Sequence, residues 1–462
     1  MIKLYNTLKK KKERITPIEP NHIKLYICGP TVYDKTHLGN ARPYVIFDIL
    51  FRLLKKNFKQ VTYARNITDI DDKIIKAAKK NNISIDEITQ KTIKIFLKNM
   101  KELKNLSPTI EPRATNHISE MVVMIQKLIN KKYAYETKGH VLFNLQKYKN
   151  YGKLSKINLN ETLAGARIKI KNYKKNAGDF ILWKPSKYDQ PRWKSPWGWG
   201  RPGWHIECSA MSQKYLGYTF DIHGGGKDLI FPHHENEIAQ SIATNGINTF
   251  ARTWIHCGII TVAGEKMSKS LGNFITIDNL LKNFSGEIIR YALLSTHYRQ
   301  ELNWINSRLE QAKSSLQKLY NSLSTIKFSQ IKNLKHNKVL DLNLEKALND
   351  DLNTPMALSI LHTIAKQINK SNNDNDKLHY AQKLLINSQF MGLLTNINKE
   401  YDCQNTKLSH QVINKKILER NQAKTNKDFS TADRIRNELI KEKIILEDTD
   451  NGTIWKRNNS IN

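Results

Sequence analysis

The chain has 462 residues, room for about three domains at ~150 residues each, and its 39% apolar and 25% charged residues exclude a disordered polymer. Lysine and arginine number 75 against 42 acidic residues, a formal charge of +33 that fits a polyanionic partner such as nucleic acid, although lysine is abundant throughout and much of it reads equally as solvated surface. Four cysteines, at 28, 208, 257 and 403, are too few for a disulfide scaffold and fit a reducing, cytoplasmic setting, and no apolar run suggests a secretory signal or a membrane partner.

In chain order, Ile23 to Cys28 reads as a short strand broken by Gly29 and Pro30, with a loop after it. From about Asn40 the apolar residues Val45, Ile46, Ile49, Leu50, Leu53 and Leu54 recur at three- and four-residue spacing, which predicts a helix with Pro43 in its first turn. Val61 to Ile67 reads as a second strand, and Ser84 with Glu87 forms a capping box opening another helix. Such alternation predicts an α/β fold with a parallel sheet.

Between 133 and 203 the rhythm is lost. His140 to Leu145 is β-like, and a Trp-, Pro- and Gly-rich stretch follows that carries Trp183, Trp193, Trp197, Trp199 and Trp204. It reads as an insertion, mostly a loop packed by its own aromatics. The α/β pattern returns from His205 to about Trp304, beyond which helical periodicity dominates. Ile444 to Leu446 and Gly452 to Trp455 predict a small terminal β element. The organisation is therefore an α/β domain over 1–304 with an insertion at about 110–203, a helical bundle over 305–400, and a small α+β element over 401–462.

Three constellations carry chemistry. Cys28 to Asn40 joins the end of a strand to a helix N-terminus, the place where open α/β sheets bind ligands and where helix N–H groups attract phosphate; its His37-Leu-Gly39-Asn40 reads alternatively as a plain helix cap. Lys266-Met-Ser-Lys269-Ser270, flanked by Gly264 and Gly272, places two lysines in a flexible loop able to close over a polyphosphate, or simply to stand in solvent. His233 and Glu237 share one face of a helix beginning near Pro232, and Cys208 and Cys28 are candidate further ligands, but spacing alone matches no compact zinc pattern and favours a structural helix with a polar face. Cys257 and Cys403 read as buried thiols.

The HIGH-like His37-Leu-Gly-Asn40 and the Lys266–Ser270 loop, in that order and separated by an α/β domain with an insertion, resemble class I aminoacyl-tRNA synthetases. Within that class the chain is similar to the cysteinyl-tRNA synthetase family through Cys28-Gly-Pro-Thr-Val-Tyr, Asn66 to Asp72, Gly203-Trp-His-Ile-Glu-Cys208, Phe220 to Gly226, Phe231 to Glu237, Asp350-Asp-Leu-Asn-Thr-Pro355 and Asp428 to Arg436. The resemblance implies a Rossmann-like catalytic domain and one zinc ion held by Cys28, Cys208, His233 and Glu237, which selects the thiolate of L-cysteine over the harder hydroxyl of serine. It implies that Gly29, Thr68 and Trp204 hold the amino acid, that His37, Gly39 and Asn40 hold ATP, and that Lys266, Lys269 and Ser270 close on its triphosphate. Asn40 departs from the motif's final His: an amide still donates a hydrogen bond but never becomes cationic.

The implied reaction has two steps. The cysteine carboxylate attacks the α-phosphate of ATP, with Mg²⁺ on the phosphates, giving cysteinyl adenylate and pyrophosphate; a terminal ribose hydroxyl of tRNA(Cys) then takes the cysteinyl group and AMP leaves. The same resemblance gives the bundle a tRNA-docking role and the C-terminal region anticodon recognition; Trp455 and the Arg434 to Arg436 pair are candidate contacts there, and Trp455 reads equally as a packing residue. Two other readings stand beside it: a cysteine-adenylating ligase with an amino-sugar acceptor, and a non-catalytic RNA-binding protein of the same fold.

Overall fold

The computed structural model describes residues 1–157, 172–267, 271–305, 307–324, 326, 339–395, 410–442, 444–449 and 452–457. An antiparallel hairpin, β1 (Lys3–Asn6) with β2 (Lys11–Arg14), precedes β3 (His22–Ile27), α1 (Leu38–Asn57) and β4 (Gln60–Arg65). α2 (Asp72–Asn81) and α3 (Ile85–Glu102) follow, then α4 (Ile118–Asn130), five short strands β5 (Ala134–Thr137), β6 (His140–Phe143), β7 (Phe180–Pro185), β8 (Trp193–Ser195) and β9 (Gly198–Pro202), and α5 (Trp204–Leu216). The α/β rhythm resumes with β10 (Thr219–Gly226), α6 (Glu235–Asn245) and β11 (Phe250–Cys257).

β3, β4, β10 and β11 form one parallel sheet in the order β11-β10-β3-β4. The chain leaves β3 toward β4 on one side, whereas β10 leads to β11 on the other. The switch in direction therefore lies between β3 and β10, and a crevice opens there beyond the carboxyl ends of both strands.

α1 explains much of the core. Its apolar residues are not confined to one stripe, and fourteen of its positions, including all six of the periodic ones from Val45 to Leu54, are buried. The helix starts at Leu38, two residues before the predicted start, so Pro43 lies inside it rather than in its first turn, and Gly39 O receives no N–H from that position. At its middle Asp48 is buried with Arg290, accepts from Arg52 Nε (2.8 Å) and from Leu106 N (2.7 Å), and ties α1 to the chain beyond the sheet. Asp48→Ala removes the carboxylate paired with the fully buried Arg290 guanidinium and leaves it only the neutral acceptors Met391 O, Leu103 O and Asn105 Oδ1; the expected cost is about 3–5 kcal/mol, to be read as a lowered melting temperature against the parent.

The predicted capping box holds: Ser84 accepts a hydrogen bond from Glu87 N at 3.1 Å and α3 starts there. The Trp-rich stretch differs from its prediction. It is not mainly a loop but strands β7 to β9 of a five-stranded antiparallel sheet ordered β5-β6-β7-β9-β8, on which Trp183 and Trp197 pack edge to face, 6.0 Å apart. Their aromatic burial is what holds the short, glycine-interrupted strands together.

After β11 come β12 (Ile260–Val262), β13 (Glu265–Lys266), α7 (Ile277–Leu280), α8 (Gly286–Leu294) and β14 (Leu302–Trp304), with β14 parallel to β12. The helices α9 (Ser307–Leu323), α10 (Leu342–Asn349), α11 (Thr354–Lys370) and α12 (Asp374–Phe390) pack into the same core as α1. The helix pair α13 (His410–Thr425) and α14 (Phe429–Lys441) covers the hairpin β15 (Ile444–Thr449) and β16 (Gly452–Arg457) through a separate small core. Among the described residues no helix is long and apolar enough to cross a membrane. Cys257 is buried, with its thiol pushed up to about 12 by burial, whereas Cys403 lies outside the described residues.

Candidate metal centre and adjoining cavity

Cys28 follows the last residue of β3, at the crevice. Cys208 lies one turn into α5, His233 on the single wide turn Ile230–His234, and Glu237 in the first turn of α6. The helix thus begins three residues later than the sequence predicts, yet the i and i+4 pair still faces one way, with His233 Nε2 at 2.9 Å from Glu237 Oε1. Cys28 Sγ stands 3.7 Å from Cys208 Sγ, 3.5 Å from His233 Nε2 and 3.4 Å from Glu237 Oε1. One donor atom from each of the four residues lies within 4.8 Å of the others, and all four residues are buried.

Such a set is costly without a cation. Burial, then Cys208 and Glu237, push the Cys28 thiol well above its usual range. Burial also works against ionising Cys208, but a hydrogen bond from the Cys28 thiol brings it down to about 6. Burial disfavours a charge on His233, whereas Glu237 pushes it up to about 10. Two sulfurs, one carboxylate and one imidazole in a dry pocket are therefore neutralised by protons, or by one divalent ion in their place. Four such donors match the closed N/S/O coordination that zinc favours.

Further histidines surround the cluster. His223 Nε2 lies 2.8 Å from Glu237 Oε2, His234 Nε2 3.3 Å from Cys28 Sγ, and His205 Nδ1 2.9 Å from His233 Nδ1. His256 bridges His234 Nδ1 (2.8 Å) and Thr7 Oγ1 (2.9 Å). Burial lowers His205 and His256 to about 3, so both act as neutral hydrogen-bonding rings that orient their neighbours. Cys28, His223, His234 and Glu237 form a second, overlapping set of close donors. The sequence assigns these histidines no role; the only signals were the paired His233-His234 and the His223-Gly-Gly-Gly run, whose glycines belong to β10. A Cβ at Gly224 would lie 2.4 Å from the Phe47 ring, so that strand needs glycine to pack on α1.

Beside the cluster opens a cavity of about 320 Å³, lined by Cys28, Gly29, Trp204, His37, Gly39 and Asn40 among others. Trp204 stacks on His233 with ring centroids 4.1 Å apart. The loop after Cys28 is clamped to the strand end beyond β4: Asn66 Oδ1 accepts from Gly29 N (2.8 Å), and Thr68 pairs with Pro30 and Val32 through the backbone. Thr68 itself is buried and donates to Glu207 Oε2 (2.7 Å), one layer behind the cavity lining. The sequence alone assigns no role to Asn66 or Glu207. A Cβ on Gly29 would meet Asn66 O at 1.5 Å, so Gly29→Ala must push the loop off its clamp; ligand turnover is expected to fall on the order of 100-fold in a protein that still folds by circular dichroism.

His37 occupies the N-cap position of α1 without capping it. Its ring packs against Phe274, its buried Nδ1 has no hydrogen-bond partner among the described residues, and burial lowers it to about 4, leaving a neutral ring with a free polar atom at the cavity. The first turn of α1 carries no acidic residue, so its positive end stays available to an anion. The segment after the lysine loop is stitched to the same place, with Leu38 N donating to Ile275 O (3.0 Å) and Ile277 N to Thr36 O (2.9 Å). Met267 and Phe274, which flank the lysine-rich stretch, both line the cavity. Lys266 ends β13; Lys269 and Ser270 lie outside the described residues.

Comparison with known proteins agrees with this layout. Residues 14–314 match the family model for tRNA synthetases class I (C) catalytic domain, and residues 343–395 match the DALR domain. A cysteine--tRNA ligase from Saccharophagus degradans is 49% identical over 98% of this chain and 99% of its own length, and one from Paramagnetospirillum magneticum is 48% identical with the same coverage. Among solved structures, a Mycobacterium tuberculosis methionyl-tRNA synthetase in complex with methionyl-adenylate superposes with a TM-score of 0.57 at 14% identity, covering 85% of this chain and 95% of its own. At that identity the likeness concerns the fold.

Proposed function

Since the chain belongs to the cysteine--tRNA ligase family of class I tRNA synthetases, we propose that its buried four-donor cluster selects cysteine and that the adjoining cavity holds ATP. The chain is an ATP-dependent ligase with cysteine, ATP and tRNA as its substrates. The readings with an amino-sugar acceptor or without catalysis are set aside, because the relatives match 98% of the chain and carry the ligase name.

Cys28, Cys208, His233 and Glu237 would hold one zinc ion per chain. When bound, zinc supplies a soft, charged partner for the substrate's thiolate, which serine's hydroxyl answers poorly; a site built on a group the competitor lacks rejects it strongly. Around it, Trp204 stacked on His233 closes one side of the amino-acid pocket, Gly29 lets the loop approach closely, and Thr68 is fixed by Glu207. The single observation that carries this reading is the convergence of four donors, from three separate stretches of the chain, at the crevice end of β3.

For activation, the cysteine carboxylate forms a bond to the α-phosphorus of ATP as the bond to pyrophosphate breaks, with Mg²⁺ on the phosphates. No side-chain nucleophile is needed, and the acceleration is positional and electrostatic. His37 offers ATP an uncharged hydrogen-bonding ring, Gly39 and Asn40 open the helix N-terminus to phosphate, and Lys266, Lys269 and Ser270 neutralise the leaving group. A ribose hydroxyl at the 3′ end of tRNA(Cys) then displaces AMP from the cysteinyl adenylate. The bundle over 305–400 would dock the tRNA and the element over 401–462 would read its anticodon. There Arg434 and Arg436 are exposed on α14, whereas Trp455 packs on the small core and donates to Asn414 Oδ1, which supports a structural role for that tryptophan. Free buried thiols at the site support a reducing, cytoplasmic setting.

The test is ATP/pyrophosphate exchange with cysteine or serine, followed by charging of tRNA transcripts. Exchange driven by cysteine alone and charging of tRNA(Cys) are expected; equal exchange with serine would overturn the selection mechanism, and exchange without charging would overturn the acceptor.

A further inference from the structure

The turn between α10 and α11 carries a carboxylate that the reaction scheme above leaves unused. Asp351 is fully buried, with φ of 61°, between two helices of the bundle. Its Oδ1 accepts from Tyr298 OH (2.6 Å) and Tyr5 N (2.8 Å), and its Oδ2 from Arg299 Nε (2.7 Å). Its own N–H donates to Lys3 O (2.8 Å). A buried carboxylate must be satisfied by donors, and three well-placed ones fix it firmly.

Two of those donors belong to the segment His297–Gln300, which is pressed against the cavity wall. Tyr298 O accepts from Gly258 N (2.7 Å), and Leu302 N donates to Ile259 O (3.0 Å). A Cβ at Gly258 would lie 2.2 Å from Gln300 O, so no slack separates the segment from the wall. On the other side Arg42, two residues beyond Asn40 on α1, is fully buried and grips both parts: its Nη1 donates to Gly258 O (2.9 Å) and Ile259 O (3.2 Å), its Nη2 to His297 O (3.1 Å). Gly258, Ile259 and Ile260 line the same cavity as His37, Gly39 and Asn40.

We propose that Asp351 is a positioning residue for the nucleotide half of the site, setting the wall Gly258–Ile260 through the segment His297–Gln300; this rests on reading the cavity as the ATP site. Close-packed contacts without slack transmit a displacement instead of absorbing it. The bundle's turn therefore helps to fix the distance between that wall and the start of α1. None of the four donors of the metal cluster belongs to that turn, segment or wall, so the effect is expected in KM for ATP, with KM for cysteine as the control for any spread through β1 and β11.

The experiment uses the full chain as parent, Asp351→Asn and Tyr298→Phe, with ATP and cysteine varied separately in the exchange assay. KM for ATP is expected to rise about tenfold in Asp351→Asn and a few-fold in Tyr298→Phe, with KM for cysteine and zinc content as in the parent. A merely structural role lowers the active fraction, and so kcat, without moving either KM. The proposal is overturned if KM for ATP stays at the parent value in both variants, or if the two KM values rise together. Should Asp351→Asn not fold, Tyr298→Phe, which removes one hydroxyl, decides alone. A parent without cysteine-dependent exchange would instead overturn the reading of the cavity.

Discussion

Cys208→Ala is expected to lose its metal and its cysteine-dependent exchange while keeping its fold. The substitution removes one buried sulfur from a well-packed helix, a small loss of volume next to the size of the core. Its effect on the cluster is much larger, because it deletes one of the two sulfurs and leaves Cys28, His233 and Glu237 to hold a divalent ion with three donors. In the metal-free protein the remaining groups satisfy one another: Glu237, held well below the usual carboxylate range by His223 and His233 in spite of burial, pairs with a protonated His233. That proton-held state competes with metal, and it is the state the variant is expected to occupy. Exchange should fall at least about 100-fold, beyond the 10–100-fold that disturbing an outer partner of a metal site costs. Zinc per chain, measured after dialysis against a weak chelator, should fall from near one to well below it, and Glu237→Gln should behave alike. A Cys208→Ala protein with full metal and full exchange would show that the thiol is not a ligand.

What the sequence makes legible follows the range of the interactions. β3, α1 and the Ser84 cap were readable because period and capping are local properties, fixed within a few residues. The start of α1 was placed too late because Leu38 is helical for a long-range reason: its N–H bonds Ile275 O, in a segment more than 200 residues away. The strands β7 to β9 were hidden for a related reason. Their glycines and prolines read as loop, and only packing of Trp183 on Trp197 and pairing with β6 make them a sheet. The candidate ligand set shows the same limit: spacing pairs only His233 with Glu237 and leaves Cys28 and Cys208 as unplaced candidates, which the family resemblance joins to them, and the crevice between β3 and β10 is what brings the four donors together. Thr7 holding His256, 249 residues away, has no signature in the chain at all.

Lys269→Ala is expected to slow cysteine-dependent exchange by on the order of 10²–10³-fold without changing zinc content. Displacement at the α-phosphorus transfers negative charge to the leaving pyrophosphate, and under the proposed function Lys269 would stabilise that charge more in the transition state than in bound ATP. The residues that flank Lys269 are placed beside the cavity. Gly264 and Gly272 both adopt left-handed backbone, with φ of 86° and 68°, a conformation in which a side chain would be strained. Met267 and Phe274, on either side of that stretch, line the cavity, and the residues after it are bonded to Thr36 and Leu38, so its flanks are anchored next to His37. The loss should therefore appear in kcat, with KM for cysteine little changed, and Lys269→Arg should recover part of the rate because charge is kept while reach and geometry differ. An unchanged rate in Lys269→Ala would remove the loop from the chemistry, whereas loss of zinc along with rate would mean that the loop acts on the metal cluster and not on the triphosphate.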